Sequence, residues 1–162
     1  MTKTTPQSVL VVCLGNICRS PMAEQVLRQK TNQAGLSINL DSCGTAHWHE
    51  GKLADARSRT VTKSRDYDIN HLRARHIKAS DFTEFDLILA MDKDNLANLQ
   101  NMKNKLIAKG KTHLATLALF SEHDTKYRHQ NVPDPYYGDI KDFEQALDLI
   151  ESMADSWINK WQ

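Results

Sequence analysis

Ser8–Cys13, SVLVVC, is an unbroken apolar and β-branched run of the kind found in a parallel strand covered on both faces. A polar loop follows, and then the spacing changes. Met22, Val26 and Lys30, with Ala23 and Leu27 beside them, recur at helical intervals, so a helix is predicted with Ser20 as its N-cap and Pro21 at its first position. INLDSCGT reads as a second strand, ADARSRTVTKSR as a helix, DLILAMD (Asp86–Asp92) as a third strand and THLATLALF as a fourth. Near the C-terminus Phe143, Ala146, Leu147, Ile150, Ala154, Trp157, Ile158 and Trp161 mark one face of a helix, with acids at its start and Lys160 near its end. Strands alternating with helices imply parallel βαβ units with right-handed crossovers. Ligands then bind at the carboxyl ends of the strands, where the loop after Cys13 emerges.

Composition narrows the choice of partner. The 162 residues suit one domain, expected over residues 1–162 with residues 1–7 as a flexible extension. With 21 basic and 20 acidic residues the net charge is +1, too little for a nucleic-acid binder. MTKTTPQSV lacks the apolar segment of a signal peptide, and no apolar run reaches the roughly 20 residues of a membrane span. A cytoplasmic protein without membrane insertion is expected. Three cysteines do not suggest a disulfide framework, so free thiols are expected.

The loop CLGNICRS, Cys13–Ser20, carries the chemistry. A strand-to-helix loop can turn successive backbone N–H groups inward and form an anion nest backed by the positive end of the helix. Gly15 offers a positive φ without penalty, and Arg19 offers a planar fork to two phosphate oxygens. The same field favours a thiolate over a thiol, which sets Cys13 to attack the phosphorus of a bound ester, with Ser20 hydrogen-bonding the sulfur. No G-x-x-x-x-G-K-[ST] or G-x-G-x-x-G is present for a nucleotide. A metal pair Cys13–Cys18 would draw its remaining ligands from scattered histidines, and HWH (His47–His49) is a lone H-x-H, so neither metal nor cofactor is expected. A leaving group needs a proton donor. Asp134 supplies one, confined between Pro133 and Pro135 and followed by Tyr136 and Tyr137, whose rings suit a planar substrate.

VCLGNICRSPMAE, DSCGT, FDLILAMDKDNL and VPDPYYG together span nearly the whole chain, and in that order they resemble the low-molecular-weight protein tyrosine phosphatases. The resemblance implies a flavodoxin-like, Rossmann-like α/β domain with a four-stranded parallel sheet in the order 2-1-3-4 and helices on both faces. It implies hydrolysis of phosphotyrosine and aryl phosphates through a phosphocysteine. Cys13 would be the nucleophile, Arg19 the phosphoryl-binding and transition-state-stabilising cation, and Asp134 the general acid and then base. The phosphate cradle would be the backbone of Leu14, Gly15, Asn16, Ile17, Cys18 and Arg19 together with Ser20, held in shape by Asn16, Ser20 and Ser42. Trp48, Tyr136 and Tyr137 would line an aromatic slot, and Cys18 would protect Cys13 by a reversible disulfide. The implied partners are a tyrosine-phosphorylated protein and inorganic phosphate or other oxyanions. The chain would be a monomer or self-associate weakly through the slot aromatics.

Three positions depart from the family pattern. Ala56 stands inside a usual D-P-R run, Cys43 where a small alanine is usual, and Leu72 where many members carry a histidine that helps orient the loop asparagine; here His71 is one position away, which leaves the support of Asn16 open. Cys43 reads as a small buried hydrophobe. Two alternatives share the pocket: an arsenate reductase on the same fold, which needs further cysteines downstream where none follows Cys43, and a catalytically silent phosphotyrosine-binding module.

Overall fold

The computed structural model describes residues 5–162. Four parallel strands, β1 (Ser8–Cys13), β2 (Asn39–Gly44), β3 (Leu87–Ala90) and β4 (Thr116–Leu119), form one sheet in the order β2-β1-β3-β4. Five helices accompany them: α1 (Arg19–Gln33), α2 (Ala56–Lys63), α3 (Asp81–Glu84), α4 (Lys93–Ala108) and α5 (Ile140–Trp161). The expected α/β class and strand order are the ones found.

Alternation along β1 and β3 divides the core in two. Val9, Val11, Leu87 and Leu89 face one cluster with Met22, Val26 and Leu27 of α1 and the apolar stripe of α5, while Leu10, Val12, Ile88 and Ala90 face Phe82, Phe85 and Leu99 on the other side. Helices therefore cover both faces of the central strands. Every α5 residue named from its periodicity is buried, and Met153 joins them. Asp139 and Asp142 close a reciprocal capping box at its start.

Several boundaries differ from the sequence reading. The helix after the loop begins at Arg19 with Cys18 in the N-cap position and no side-chain cap. Ser20 is not the cap because its hydroxyl points inward, 3.0 Å from Cys13 Sγ and 2.7 Å from Asn16 Nδ2. Pro21 is then the third helical residue, where its missing N–H falls among first-turn groups that have no intrahelical partner. β4 is shorter than THLATLALF because His113 takes φ 58°, which ends any extended run before Thr116. Of the extension expected over residues 1–7, residues 1–4 lie outside the described part. Thr5 Oγ1 donates to the Trp161 carbonyl at 2.8 Å, and Gln7 N donates to Asp86 Oδ2 at 2.8 Å.

One ion pair joins the sheet edge to the loops above it. Arg75 makes two hydrogen bonds of 3.0 Å to the fully buried Asp81 and another of 3.0 Å to Asp41, while Lys78 N caps the same Asp81 carboxylate at 2.9 Å. Although burial works against its charge, Asp81 and its acidic neighbours hold the Arg75 guanidinium well above its ordinary pKa. Replacing Asp81 by alanine leaves Arg75 with Asp41 as its remaining partner and the Lys78 amide with none, and we expect a loss of about 2 kcal/mol, read as a lower midpoint with unchanged slope in urea unfolding.

Candidate active site

The site lies at the carboxyl end of β1, where the chain leaves for β2 on one side and returns to β3 on the other, the usual ligand crevice of such a sheet. Cys13 ends β1 and is 2% exposed. Its sulfur receives the Asn16 backbone N–H at 3.3 Å and lies 3.0 Å from Ser20 Oγ. It forms the base of a cavity of about 240 Å³ whose wall includes Leu14, Gly15, Ile17, Cys18 and Arg19. Trp48, Tyr136 and Tyr137 line the same cavity, as does Asp134.

The tight turn of the loop falls on Asn16 rather than Gly15. Asn16 takes φ 57°, a left-handed conformation that asparagine tolerates better than other side-chain-bearing residues, whereas Gly15 has an ordinary φ. Gly15 matters for space instead, since a Cβ there would sit 3.0 Å from His49 Cδ2. Asn16 holds its shape through its side chain. Nδ2 donates to Ser20 Oγ at 2.7 Å and Ser42 Oγ at 3.0 Å, and Oδ1 accepts the Arg75 backbone N–H at 3.0 Å. Support thus comes from Arg75, and Leu72 packs against the core instead of contributing a polar group. Ser42 in turn donates to Glu24 Oε1 at 2.7 Å, and Glu24, buried, pairs with Arg28 at 2.7 Å. Because Asn16 donates to both serines, the Ser20 proton is free to point at the Cys13 sulfur.

Arg19 is 2% exposed and fixed from behind, its Nη1 donating to Asp92 Oδ2 at 2.6 Å and to the Val132 carbonyl at 2.8 Å. Burial disfavours its charge, yet the facing Cys13 sulfur and the Asp92 carboxylate hold its pKa above the ordinary value. Its Nε is buried with no protein partner, a donor left for an oxyanion. The Asp134 carboxylate, about two-fifths exposed, lies 3.6 Å from Arg19 Nη2, and its Oδ1 accepts the Tyr136 N–H at 3.1 Å. Cys18 differs from Cys13 in setting: burial, then the nearby Cys13, push its thiol strongly up. Burial also pushes the Cys43 thiol up, as a small core side chain, and all three cysteines are free thiols.

All the expected site residues therefore meet in one place, with Asn16, Ser20 and Ser42 beneath the loop and the others on the cavity wall. Sequence reasoning missed Asp92, which both caps α4 through Asn95 N at 2.7 Å and anchors Arg19. It also missed His49 on the cavity wall, and Glu24, Arg57 and Arg75 behind it. An acid directly after the third strand and before a helix was the available signal for Asp92. Among the described residues no cluster of three or more His, Cys, Asp or Glu is arranged to hold a metal, and none of their helices is long and apolar enough to cross a membrane.

A buried sulfur at a cavity whose wall includes an arginine with an unpartnered donor is the arrangement of a cysteine-loop phosphate-ester hydrolase. The family model described as "Low molecular weight phosphotyrosine protein phosphatase" matches residues 8–162. The enzyme of that name from Schizosaccharomyces pombe is 44% identical over 161 residues, covering 98% of this chain and 97% of the relative. A protein tyrosine phosphatase from Entamoeba histolytica, solved with Hepes in the active site, superposes with a TM-score of 0.84 at 37% identity, covering 94% of this chain and 95% of that one. Wzb from Vibrio vulnificus, solved with benzylphosphonate, gives 0.81 at 30% identity over 96% of this chain and 99% of its own. The chain belongs to the low molecular weight phosphotyrosine protein phosphatase family, and its activity is that of a protein tyrosine phosphatase. The arsenate-reductase and silent-binder alternatives are not favoured by these matches.

Gly44, at the end of β2, sets how closely the loop can sit on the sheet. A Cβ there would lie 2.6 Å from the Leu14 carbonyl oxygen and 3.1 Å from Asn16 N, both backbone atoms. Gly44→Ala must lift the loop, and a shift approaching 1 Å costs on the order of 100-fold in kcat/KM. Aryl phosphate kinetics with the inhibition constant of inorganic phosphate check this, both being expected to worsen.

Proposed function

We propose that this phosphatase hydrolyses the phosphotyrosine of a protein substrate in two steps, without a metal, at Cys13, Arg19 and Asp134. The observation that carries the reading is the convergence on one cavity of the Cys13 sulfur, the unpartnered Arg19 Nε and the Asp134 carboxylate. The phosphoryl group binds in the cradle of loop N–H groups from Leu14 to Arg19, at the positive end of α1, and receives Arg19 Nε. The Cys13 sulfur attacks phosphorus in line, the P–O bond to the phenol breaks, and Asp134 gives the departing oxygen its proton. The second step reverses the proton's direction. Asp134, now ionised, takes a proton from water, the water oxygen attacks phosphorus, and the P–S bond breaks to release phosphate and return the sulfur to its hydrogen bonds with Asn16 N and Ser20.

The slot fits an aryl ester. Trp48 and Tyr137, 63% and 95% exposed, stand at the mouth, and the Tyr136 and Tyr137 rings meet edge to face at 4.9 Å, which leaves flat walls for a phenyl ring. Benzylphosphonate, which carries a phenyl ring one methylene from its phosphorus, is bound in the solved Wzb relative, which supports the same choice here. The exposed rim rings also give a monomer a means of weak self-association across the site. In the cytoplasm, where thiols stay reduced, Cys13 would persist in its active form, with Cys18 as the neighbour able to shield it by a disulfide on oxidation.

Turnover of aryl phosphates in EDTA is expected for the wild type and absent for Cys13→Ser. Asp134→Ala should keep phosphate binding and lose about 100-fold or more in kcat/KM on poor phenol leaving groups, with a far smaller loss on good ones. Equal losses on both would remove Asp134 from the acid role.

A further inference from the structure

The segment bearing Asp134 is held in an unusual way. Val132 is tied on both sides, its N–H to the Met91 carbonyl at 2.9 Å and its carbonyl to Arg19. The chain is next fixed at Asp139, where α5 is capped. Residues 133–138 between them fold on themselves through Tyr136 N to Asp134 and Gly138 N to the Pro135 carbonyl at 2.9 Å. Among the described residues, the hydrogen bonds reaching this segment from outside come from Arg57. Its Nη1 donates to the Gly138 carbonyl at 2.8 Å and its Nη2 to the Tyr136 carbonyl at 2.9 Å.

Arg57 is itself fixed toward the nucleophile loop. Its Nε and Nη2 each donate to the Asp55 carboxylate at 3.0 Å, and its guanidinium lies 4.4 Å from the centre of the buried Phe143 ring. Asp55 N donates to the Ile17 carbonyl at 2.8 Å, and Ser58 Oγ to the Cys18 carbonyl at 3.2 Å. The first turn of α2 thus grips the phosphate loop with two hydrogen bonds and the acid segment with two more. The other link between the two loops is Arg19, which donates to the Val132 carbonyl at 2.8 Å and lies 3.6 Å from the Asp134 carboxylate, and it leaves the backbone of residues 135–138 to Arg57.

We propose that Arg57 is a positioning residue for proton transfer: by clamping the carbonyls of Tyr136 and Gly138 it holds Asp134 over the leaving-group side of the cavity. The inference rests on the reading of Asp134 as the acid. An arginine that served only to stabilise α2 through Asp55 would change stability and leave the response to leaving group untouched. One that positions the acid must change that response. Lysine keeps the charge but lacks the planar fork that reaches two carbonyls and a carboxylate together, so it should restore only part of the function.

The test compares wild type, Arg57→Ala, Arg57→Lys and Asp134→Ala on aryl phosphates running from p-nitrophenol to unsubstituted phenol, with phosphate inhibition and thermal melting measured alongside. The expected result for Arg57→Ala is a kcat/KM loss of roughly 10- to 100-fold with phenol and only a few-fold with p-nitrophenol, at an unchanged phosphate inhibition constant. Arg57→Lys should fall between, and should decide the matter if the alanine variant does not fold. If Asp134→Ala shows the steep leaving-group dependence and both Arg57 variants lose activity uniformly or not at all, the positioning role is overturned while the acid survives. If Asp134→Ala itself shows no such dependence, the acid reading fails first and takes the inference with it.

Discussion

A single left-handed residue shapes the catalytic loop. Asn16 at φ 57° turns the chain so that its own N–H faces the Cys13 sulfur, a conformation costing about 1–2 kcal/mol for a residue with a side chain. Three hydrogen bonds of the same side chain, donated to Ser20 and Ser42 and accepted from the Arg75 N–H, more than offset that cost, because each replaces what would be an unsatisfied buried group. Asparagine suits the position doubly. It tolerates the backbone geometry, and its amide supplies two donors and an acceptor on opposite sides. The direction of donation then propagates, since a Ser20 oxygen that accepts from Asn16 has its proton left for the Cys13 sulfur at 3.0 Å, with the Cys43 carbonyl as a more distant acceptor at 3.5 Å.

The sheet makes this local arrangement possible. β1 is sandwiched between β2 and β3 with its six residues buried, so the position of Cys13 is set by the core and not by the loop. The neighbouring strand end must be bare at Gly44 for the loop to settle against it, and the Thr45 and Ala46 amides then take up the carbonyls of Cys13 and Leu14 at 2.9 Å. In a trans peptide the N–H of the next residue points opposite to the carbonyl, so carbonyls of Cys13 and Leu14 bonded on this side direct the N–H groups of Leu14 and Gly15 away from it. The anion site is therefore a consequence of satisfying the loop's acceptors elsewhere.

What could be read from the sequence divides along physical lines. β1 and α5 were legible because burial on a fixed period leaves a strong pattern, and the C-x5-R loop was legible because a nucleophile and a guanidinium at that spacing have few other uses together. α4 was not, since Leu99 and Asn95 are its only fully buried residues and KDNLANLQNMKNKLIA is otherwise half-buried or exposed. The N-terminus of α1 was misplaced because a serine that would ordinarily cap a helix was serving the sulfur instead. Local rules fail where a side chain has a tertiary task, and Ser20 is that case. The tasks of Asp92, Arg57 and Arg75 were hidden for a related reason: each acts on a residue between 59 and 81 positions away, through contacts that no local spacing encodes.

The two halves of the machinery differ in stiffness, and the reaction gives a reason. In the proposed reaction Arg19 and the loop amides would meet the same phosphoryl group in both steps and would gain from being fixed in advance: a guanidinium already held by Asp92 and Val132 needs no reorganisation as charge develops. The acid has a different duty. It would meet a phenolic oxygen in the first step and a water in the second, two partners of different size approaching the same face of phosphorus. A carboxylate two-fifths exposed, on a short segment tethered through its backbone at Tyr136 and Gly138, can adjust its side chain to either while its main chain stays put. The buried cradle and the tethered acid are thus two solutions to two constraints, one geometry that must not change and one that must.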